Sequence, residues 1–133
     1  MEIKKFVLGR CSKCNKYTSC FLDGEPVGLV THQIANGECE IMSLNSLVEG
    51  KGVGSALIDA VRNEAVGHRC RRIRLITTND NTHALRFYQR RGFRLAAVYL
   101  NALEQSRRLK PEIPLTGMDG IPLRDEIELE LIL

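Results

Sequence analysis

The stretch Asn81-Thr82-His83-Ala84-Leu85-Arg86-Phe87-Tyr88-Gln89-Arg90-Arg91-Gly92-Phe93 decides how the rest of this 133-residue chain is read. It follows Thr78-Asn79-Asp80, a run of helix-capping types, and closes on a glycine, so it predicts a helix ending near Arg91. On such a helix Asn81, Ala84 and Tyr88 share one stripe, which would turn an amide, a small gap and a phenol toward the same groove. Taken alone, the stripe is equally a core face with an incidental tyrosine.

Upstream, the apolar period changes twice. Arg72 to Thr77 is β-rich, with Ile73, Leu75 and Thr77 on one side. Before it, Val53, Leu57, Ala60 and Val61 recur at helical spacing, predicting a helix from about Gly52 to Val66 that Gly67 is placed to end. Tyr17 to Leu22 and Val27 to Gln33 read as antiparallel strands joined at Asp23-Gly24, and Asn36-Gly37 turns the chain into a third, bulged strand from Cys39 to Leu47. Downstream, Phe93 to Leu100 is a strand. A short helix and an ordered Pro/Gly loop over Lys110 to Asp125 then lead to a last strand, Ile127 to Leu133. The order is that of a mixed α/β layer fold in one domain, residues 1–133.

Composition narrows the class. Hydrophobic residues at 44% and charged residues at 26% suit a soluble protein, and no apolar run reaches the ~18 residues of a membrane span. The apolar patch after Lys4-Lys5 is too short for a secretory core, so the cytoplasm is expected. A net charge of +3, spread along the chain, gives no reason to expect nucleic acid. Five cysteines, an odd count, suggest free thiols in a reducing compartment. Cys11, Cys14 and Cys20 invite a zinc reading, but a second ligand pair is absent, so no metal is expected.

Gly50-Lys51-Gly52-Val53-Gly54-Ser55 opens the first helix and suits a phosphate cradle, because glycines let backbone amides approach an anion at a helix N-terminus. It fails as a Walker loop, since Ser55-Ala56 follows Gly54, and as a dinucleotide fingerprint, since the third glycine is missing.

Together the two constellations resemble the GNAT superfamily of acyl-CoA-dependent N-acyltransferases. The family's pyrophosphate loop, [Q/R]-x2-G-x-[G/A], is matched by Gly52 and Gly54, and its N-x2-A-x2-F-Y-x3-G-F motif is matched in full from Asn81 to Phe93. The resemblance covers roughly Phe21 to Tyr99, and the tail is similar to a bacterial branch of the superfamily. It implies the GNAT-type fold, a mixed, mostly antiparallel sheet flanked by helices. It also implies acetyl-CoA as cosubstrate, an amine as acceptor, and cosubstrate contacts at Leu47, Val48, Lys51, Gly52, Val53, Gly54, Ser55, Asn81, Ala84, Phe87 and Tyr88. Glu49 departs from the loop pattern. The front of the chain is short, with about 16 residues before Tyr17. That shortening, with a Leu/Ile-rich last strand, leads us to expect a homodimer covering the acceptor side.

The resemblance also distributes chemical roles. An amine of pKa about 10.4 must lose its proton before attacking a thioester, and Glu40 is the expected base. Backbone amides near Leu47, freed by a bulge, are expected to meet the oxyanion. Tyr88 is the expected acid for the departing thiolate. Glu126, Glu128 and Glu130 read as a solvated face, with Asp125 and Glu126 placed to meet a cationic acceptor. A non-catalytic acyl-CoA sensor and a zinc-linked interaction module are the rival classes.

Overall fold

A turn of two residues sets the first half of the molecule. In the computed structural model, which describes residues 3–9, 16–22, 25–47 and 52–133, Asn36 and Gly37 take φ of 54° and 76°. Both central residues are left-handed, the geometry of a type I′ hairpin turn. It joins β3 (Glu25–Ala35) to β4 (Glu38–Ser46) with Ala35 facing Glu38. Arg71 locks the turn, donating through its side chain to the Asn36 carbonyl at 3.0 Å and through its backbone N–H to the Gly37 carbonyl at 2.7 Å.

The chain divides into two units, Met1–Arg74 with Ile132–Leu133, and Leu75–Leu131. In the first, β1 (Ile3–Gly9), β2 (Lys16–Leu22), β3 and β4 form an antiparallel run, and β4 pairs in parallel with the start of β5 (Arg72–Thr78). The strand β1 is not anticipated by the sequence reading. The bulge expected in β4 is present, but at Met42, where Thr31 faces Ser43 and His32 faces Ile41. The Asp23-Gly24 turn, Cys11 and Cys14 lie outside the described residues, while Cys20 sits in β2 opposite Gly28.

Helix α1 (Val53–Gly67) buries Val53, Leu57, Ile58, Val61 and Ala65. Val53, Leu57 and Val61 are buried as expected, while Ala60 is only half-buried and Ile58 and Ala65 complete the stripe. The helix lies close on β3 because Gly28 has no side chain. A Cβ there would come within 2.6 Å of Val53 Cγ1 and 3.0 Å of Leu57 Cδ1. The helix continues through Gly67. Its end is made instead by Arg69 at φ 58°, with Cys70 N–H donating to Ala65 carbonyl and Arg69 N–H to Val66 carbonyl, the two bonds of a Schellman end.

In the second unit, the rest of β5 leads to α2 (Thr82–Arg90), β6 (Arg94–Tyr99), α3 (Ala102–Leu109), a 3-10 turn (Met118–Gly120) and β7 (Glu126–Ile132). Strand β7 lies between β5 and β6 and pairs antiparallel with β6. Here the sequence expectation for the helix end holds: Gly92 at φ 94° completes a Schellman end after α2. The fold class is therefore mixed α/β with mostly antiparallel pairing, as expected.

The contact at Gly28 generates a prediction. Gly28→Ala should lower unfolding free energy by about 1–3 kcal/mol, because a β-branched valine on a packed helix cannot swing aside. Urea denaturation of parent and variant measures it, and equal midpoints would show that α1 can shift freely.

Candidate functional site

The N-terminus of α1 is built by a conformational demand at Gly52. Its φ of 72° and ψ of 15° are left-handed, and among the described residues no side chain caps the helix there. A Cβ at Gly52 would meet nothing within 4 Å among the described residues. The first intrahelical bond runs from Ala56 N–H to the Gly52 carbonyl at 3.0 Å. Amides in a helix's first turn lack intrahelical acceptors, and the macrodipole adds about half a positive charge. No acidic side chain offsets it in that turn. Gly54 and Ser55 are half-buried and Val53 is core. This end suits an anionic oxygen. Val48, Glu49, Gly50 and Lys51, the remainder of the expected loop, lie outside the described residues.

Leu47 requires a correction. Its N–H donates to the Val27 carbonyl at 2.8 Å, so that amide is engaged, and the β4 bulge sits five residues earlier at Met42. An oxyanion cannot take a donor that continues the strand ladder without breaking that bond. The Leu47 side chain is exposed.

Glu40, the expected base, is held in an ion pair. It stands on a strand paired on both sides, not on an edge, and its Oε1 accepts from Arg74 Nη1 at 2.5 Å. Glu38 accepts from Arg72 Nε at 2.9 Å, and that guanidinium holds its carboxyl below the usual range. Glu38 faces Arg72 and Glu40 faces Arg74 in the parallel ladder, so two ion pairs follow the strand period. The matching Glu-x-Glu and Arg-x-Arg patterns could have revealed both arginines once the two strands were taken as neighbours.

In the second unit the motif helix α2 starts at Asn81, whose side-chain oxygen accepts from Ala84 N–H at 3.1 Å. This amide, expected to contact the cosubstrate, therefore spends its carbonyl on capping the helix and keeps its NH2 group for other partners. Ala84 and Phe87 are half-buried and Tyr88 is buried, so the predicted stripe forms. The Tyr88 ring meets Phe87 and Phe93 edge-on, with centroids 5.0 Å and 5.3 Å away. Sequence reading missed Arg91, whose guanidinium lies 3.6 Å from the Phe87 ring centroid and donates to the Phe87 carbonyl. Its signal was the i,i+4 spacing from Phe87.

Burial pushes the Tyr88 phenol up to about 12, with nearby Arg91 acting in the opposite direction. Among the described residues no side chain hydrogen-bonds its hydroxyl, which sets it apart from a structural tyrosine such as Tyr99. Tyr99 donates to Glu128 at 2.7 Å.

The acids assigned to the acceptor are placed differently. Asp125 is buried, taking Arg124 in a fork and the Asn101 N–H at 2.8 Å, and these bonds hold its carboxyl below the usual range. It belongs to a strap with Asp80, which accepts from Thr78 and from the Met118 N–H at 2.9 Å. Burial raises the Asp80 carboxyl, but those two donors together with its own backbone N–H outweigh it and leave it lowered. Glu128 is buried and Glu130 is ion-paired with Arg94, so the glutamate face of β7 is not a solvated one. Glu126 remains half-buried. Among the described residues no group of three or more His, Cys, Asp or Glu could hold an ion.

Comparison with known proteins adds independent findings. The sequence profile of the acetyltransferase (GNAT) family matches residues 7–93. The chain is 48% identical over 118 residues to the uncharacterized protein YdhI of Bacillus subtilis, covering 89% of this chain and 74% of that one. Its fold is similar to a Bacillus subtilis acetyltransferase solved in complex with CoA, with TM-score 0.78, 22% identity, and 92% and 79% of the two chains covered. It is also similar to a GNAT family acetyltransferase from Elizabethkingia anophelis with acetyl-CoA bound, at TM-score 0.77 and 21% identity, covering 89% and 76%.

The raised phenol has an alkaline consequence of definite sign. Folded Tyr88 keeps its proton to about 12, while an unfolded tyrosine releases it near 10, so its contribution to stability is intact below about pH 10 and is lost as pH rises toward 12. Denaturation curves at several pH values above 9 should show the parent losing stability faster than Tyr88→Phe. Parallel losses would mean the hydroxyl is solvated.

Proposed function

The chain belongs to the GNAT acetyltransferase family, and on that premise we propose that it transfers an acetyl group from acetyl-CoA to a primary amine. The observation carrying this reading is the start of α1, where Gly52 is left-handed and, among the described residues, no side chain caps the helix or fills the space beside it, leaving first-turn amides to a phosphate. We take residues 1–133 as one acetyltransferase domain, because the family profile runs across the division after Arg74. The CoA complexes among its structural relatives support acetyl-CoA as cosubstrate. The cytoplasm remains our proposed location, and among the described residues no helix is long and apolar enough to cross a membrane.

In this reading Gly52, Val53, Gly54 and Ser55, with Val48 and Lys51, hold the pyrophosphate. The exposed Leu47 side chain, Asn81 NH2, Ala84 and Phe87 line the pantetheine arm. The acceptor's neutral amine attacks the thioester carbonyl, forming a C–N bond; collapse of the intermediate breaks the C–S bond, and CoA leaves as a thiolate. Glu40 accepts the amine's proton through water, using oxygen lone pairs that Arg74 leaves available.

Tyr88 is assigned to the sulfur. A phenol near 12 stays protonated at neutral pH, so a donor is always in place. Passing its proton fully to a thiolate near 8.5 climbs on the order of 5 kcal/mol. Its main contribution is therefore a hydrogen bond that strengthens as charge builds on sulfur, with the thiolate taking its final proton from solvent.

Two variants test this on one preparation. Gly54→Val should weaken acetyl-CoA binding at least about tenfold by calorimetry, since it places a side chain where amides meet phosphate. Tyr88→Phe should bind acetyl-CoA nearly as the parent does but turn over about 10²–10⁴ times more slowly in a screen of amines, amino acids and peptide N-termini. Parent-like turnover would remove Tyr88 from the chemistry. Tight acetyl-CoA binding with no acceptor acylated would favour the sensor reading.

A further inference from the structure

The turn that enters α2 holds a buried carboxylate that the acyl-transfer reading does not use. Thr78 closes β5, Asn79 and Asp80 make the turn, and Asn81 caps the helix. Backbone bonds set its path, with Asn81 N–H donating to the Thr78 carbonyl at 3.0 Å and Thr82 N–H to the Asp80 carbonyl at 2.9 Å. The Asn81 side chain spends its oxygen on the Ala84 N–H, and among the described residues no acceptor meets its NH2 group. The direction of that group depends on how firmly the turn is held.

Both arms of the strap over residues 110–125 hold it. One arm grips Asn79, whose NH2 donates to the Pro122 carbonyl at 2.9 Å and whose oxygen accepts from the Arg124 and Asp125 amides. The other meets Asp80, where Met118 N–H donates to Oδ2 at 2.9 Å. That arm is closed on itself, with Gly117 N–H on the Ile121 carbonyl at 2.8 Å and Ile121 N–H on the Met118 carbonyl at 3.0 Å. It therefore reaches the carboxylate as a preformed tip. Gly117 is required there by close approach, since its φ of −101° lies outside the left-handed region, yet a Cβ would come within 2.1 Å of Asp80 Oδ2. Asp80 is 4% exposed, and a carboxylate withdrawn from water must find its donors in the protein. The Thr78 hydroxyl supplies one more, so Asp80 is bonded back to the strand that the turn leaves and across to the strap.

We propose that Asp80 is a positioning residue for acyl transfer, a latch that seats the strap tip on the turn and thereby fixes the direction of the Asn81 NH2 group toward the cosubstrate. The inference rests on the acetyl-CoA reading of α2. Asp80 touches no reacting atom and acts through the residue that follows it in the chain.

Calorimetric titration of acetyl-CoA into the whole chain tests the latch, with thermal melting of the same preparations. Asp80→Ala should weaken binding about five- to tenfold, the worth of one well-aimed hydrogen bond. Asp80→Asn should restore it, since the amide can accept the Met118 N–H on its oxygen and donate to a reversed Thr78 hydroxyl. Asn81→Ser keeps a capping oxygen but loses the NH2 group. In that background Asp80→Ala should cost less than about twofold more in affinity, while lowering the melting temperature as much as it does in the parent. Equal losses of affinity in the two backgrounds overturn the proposal, because the latch would then support the fold at large rather than Asn81. Parent-like binding by Asp80→Ala overturns it as well. If Asp80→Ala does not fold, Gly117→Ala, which crowds the carboxylate from the strap side, takes its place in the same cycle. A parent that binds no acetyl-CoA is a different failure, one that removes the acyl-transfer reading and the latch with it.

Discussion

The close approach of α1 to β3 is the constraint on which the first unit depends. At Gly28 there is no room for a Cβ beneath Val53 and Leu57, so the first turn of the helix is pressed against one strand position. The neighbouring residue, Val27, takes the Leu47 N–H on its carbonyl. Both ends of the glycine loop are thus tied to adjacent residues of β3. Preorganised amides bind an anion without paying to order themselves when it arrives. The bond that removes Leu47 from the list of oxyanion donors is therefore part of what places the helix start.

In the second unit carboxylates do the equivalent work. The segment after α3 has prolines and glycines and little regular structure, so its backbone groups need partners from side chains. Asn79 supplies an oxygen to the Arg124 and Asp125 amides and its NH2 to the Pro122 carbonyl, while Arg107 donates to the carbonyls of Ile113, Pro114 and Leu123. Asp80 takes the Met118 amide, and a Cβ on Gly117 would overlap its carboxylate. From sequence, Asp125 looked available to a cationic acceptor because an acidic residue beside a loop is usually solvated. Its role as a backbone anchor depends on residues 24 and 46 positions away, which no local pattern encodes.

Local signals were legible and long-range ones were not. The Asn36-Gly37 turn and the Gly92 helix end both require left-handed backbone, and both residues tolerate it cheaply. The same reasoning failed at Gly67 because the left-handed position fell two residues later, on Arg69. There the tertiary demand of seating buried Cys70 and the Arg71 clamp on the hairpin turn outweighs intrinsic preference. The two site motifs were legible because each is contained in one helix start. The ion pair of Glu40 stayed hidden in the sequence because its partner Arg74 lies 34 residues along the chain. Strand β1 carried too short an apolar pattern to declare itself.

The chemistry that follows from Tyr88 illustrates how packing selects a role. A tyrosine in water and one enclosed by Phe87 and Phe93 carry the same hydroxyl, but burial makes the phenolate expensive and so keeps the neutral donor. A stronger acid would protonate sulfur more readily, yet it would spend more time ionised and would repel the developing thiolate when it was. A weak acid in an apolar surround avoids both problems. The aromatic cluster thereby contributes to the second unit's core and would, in the proposed reaction, also serve leaving-group stabilisation, and Arg91 over the Phe87 ring fixes a wall of that cluster from outside. On the proposed role of Tyr88, a change at Arg91 that loosens the cluster should reach the sulfur through Tyr88's solvation.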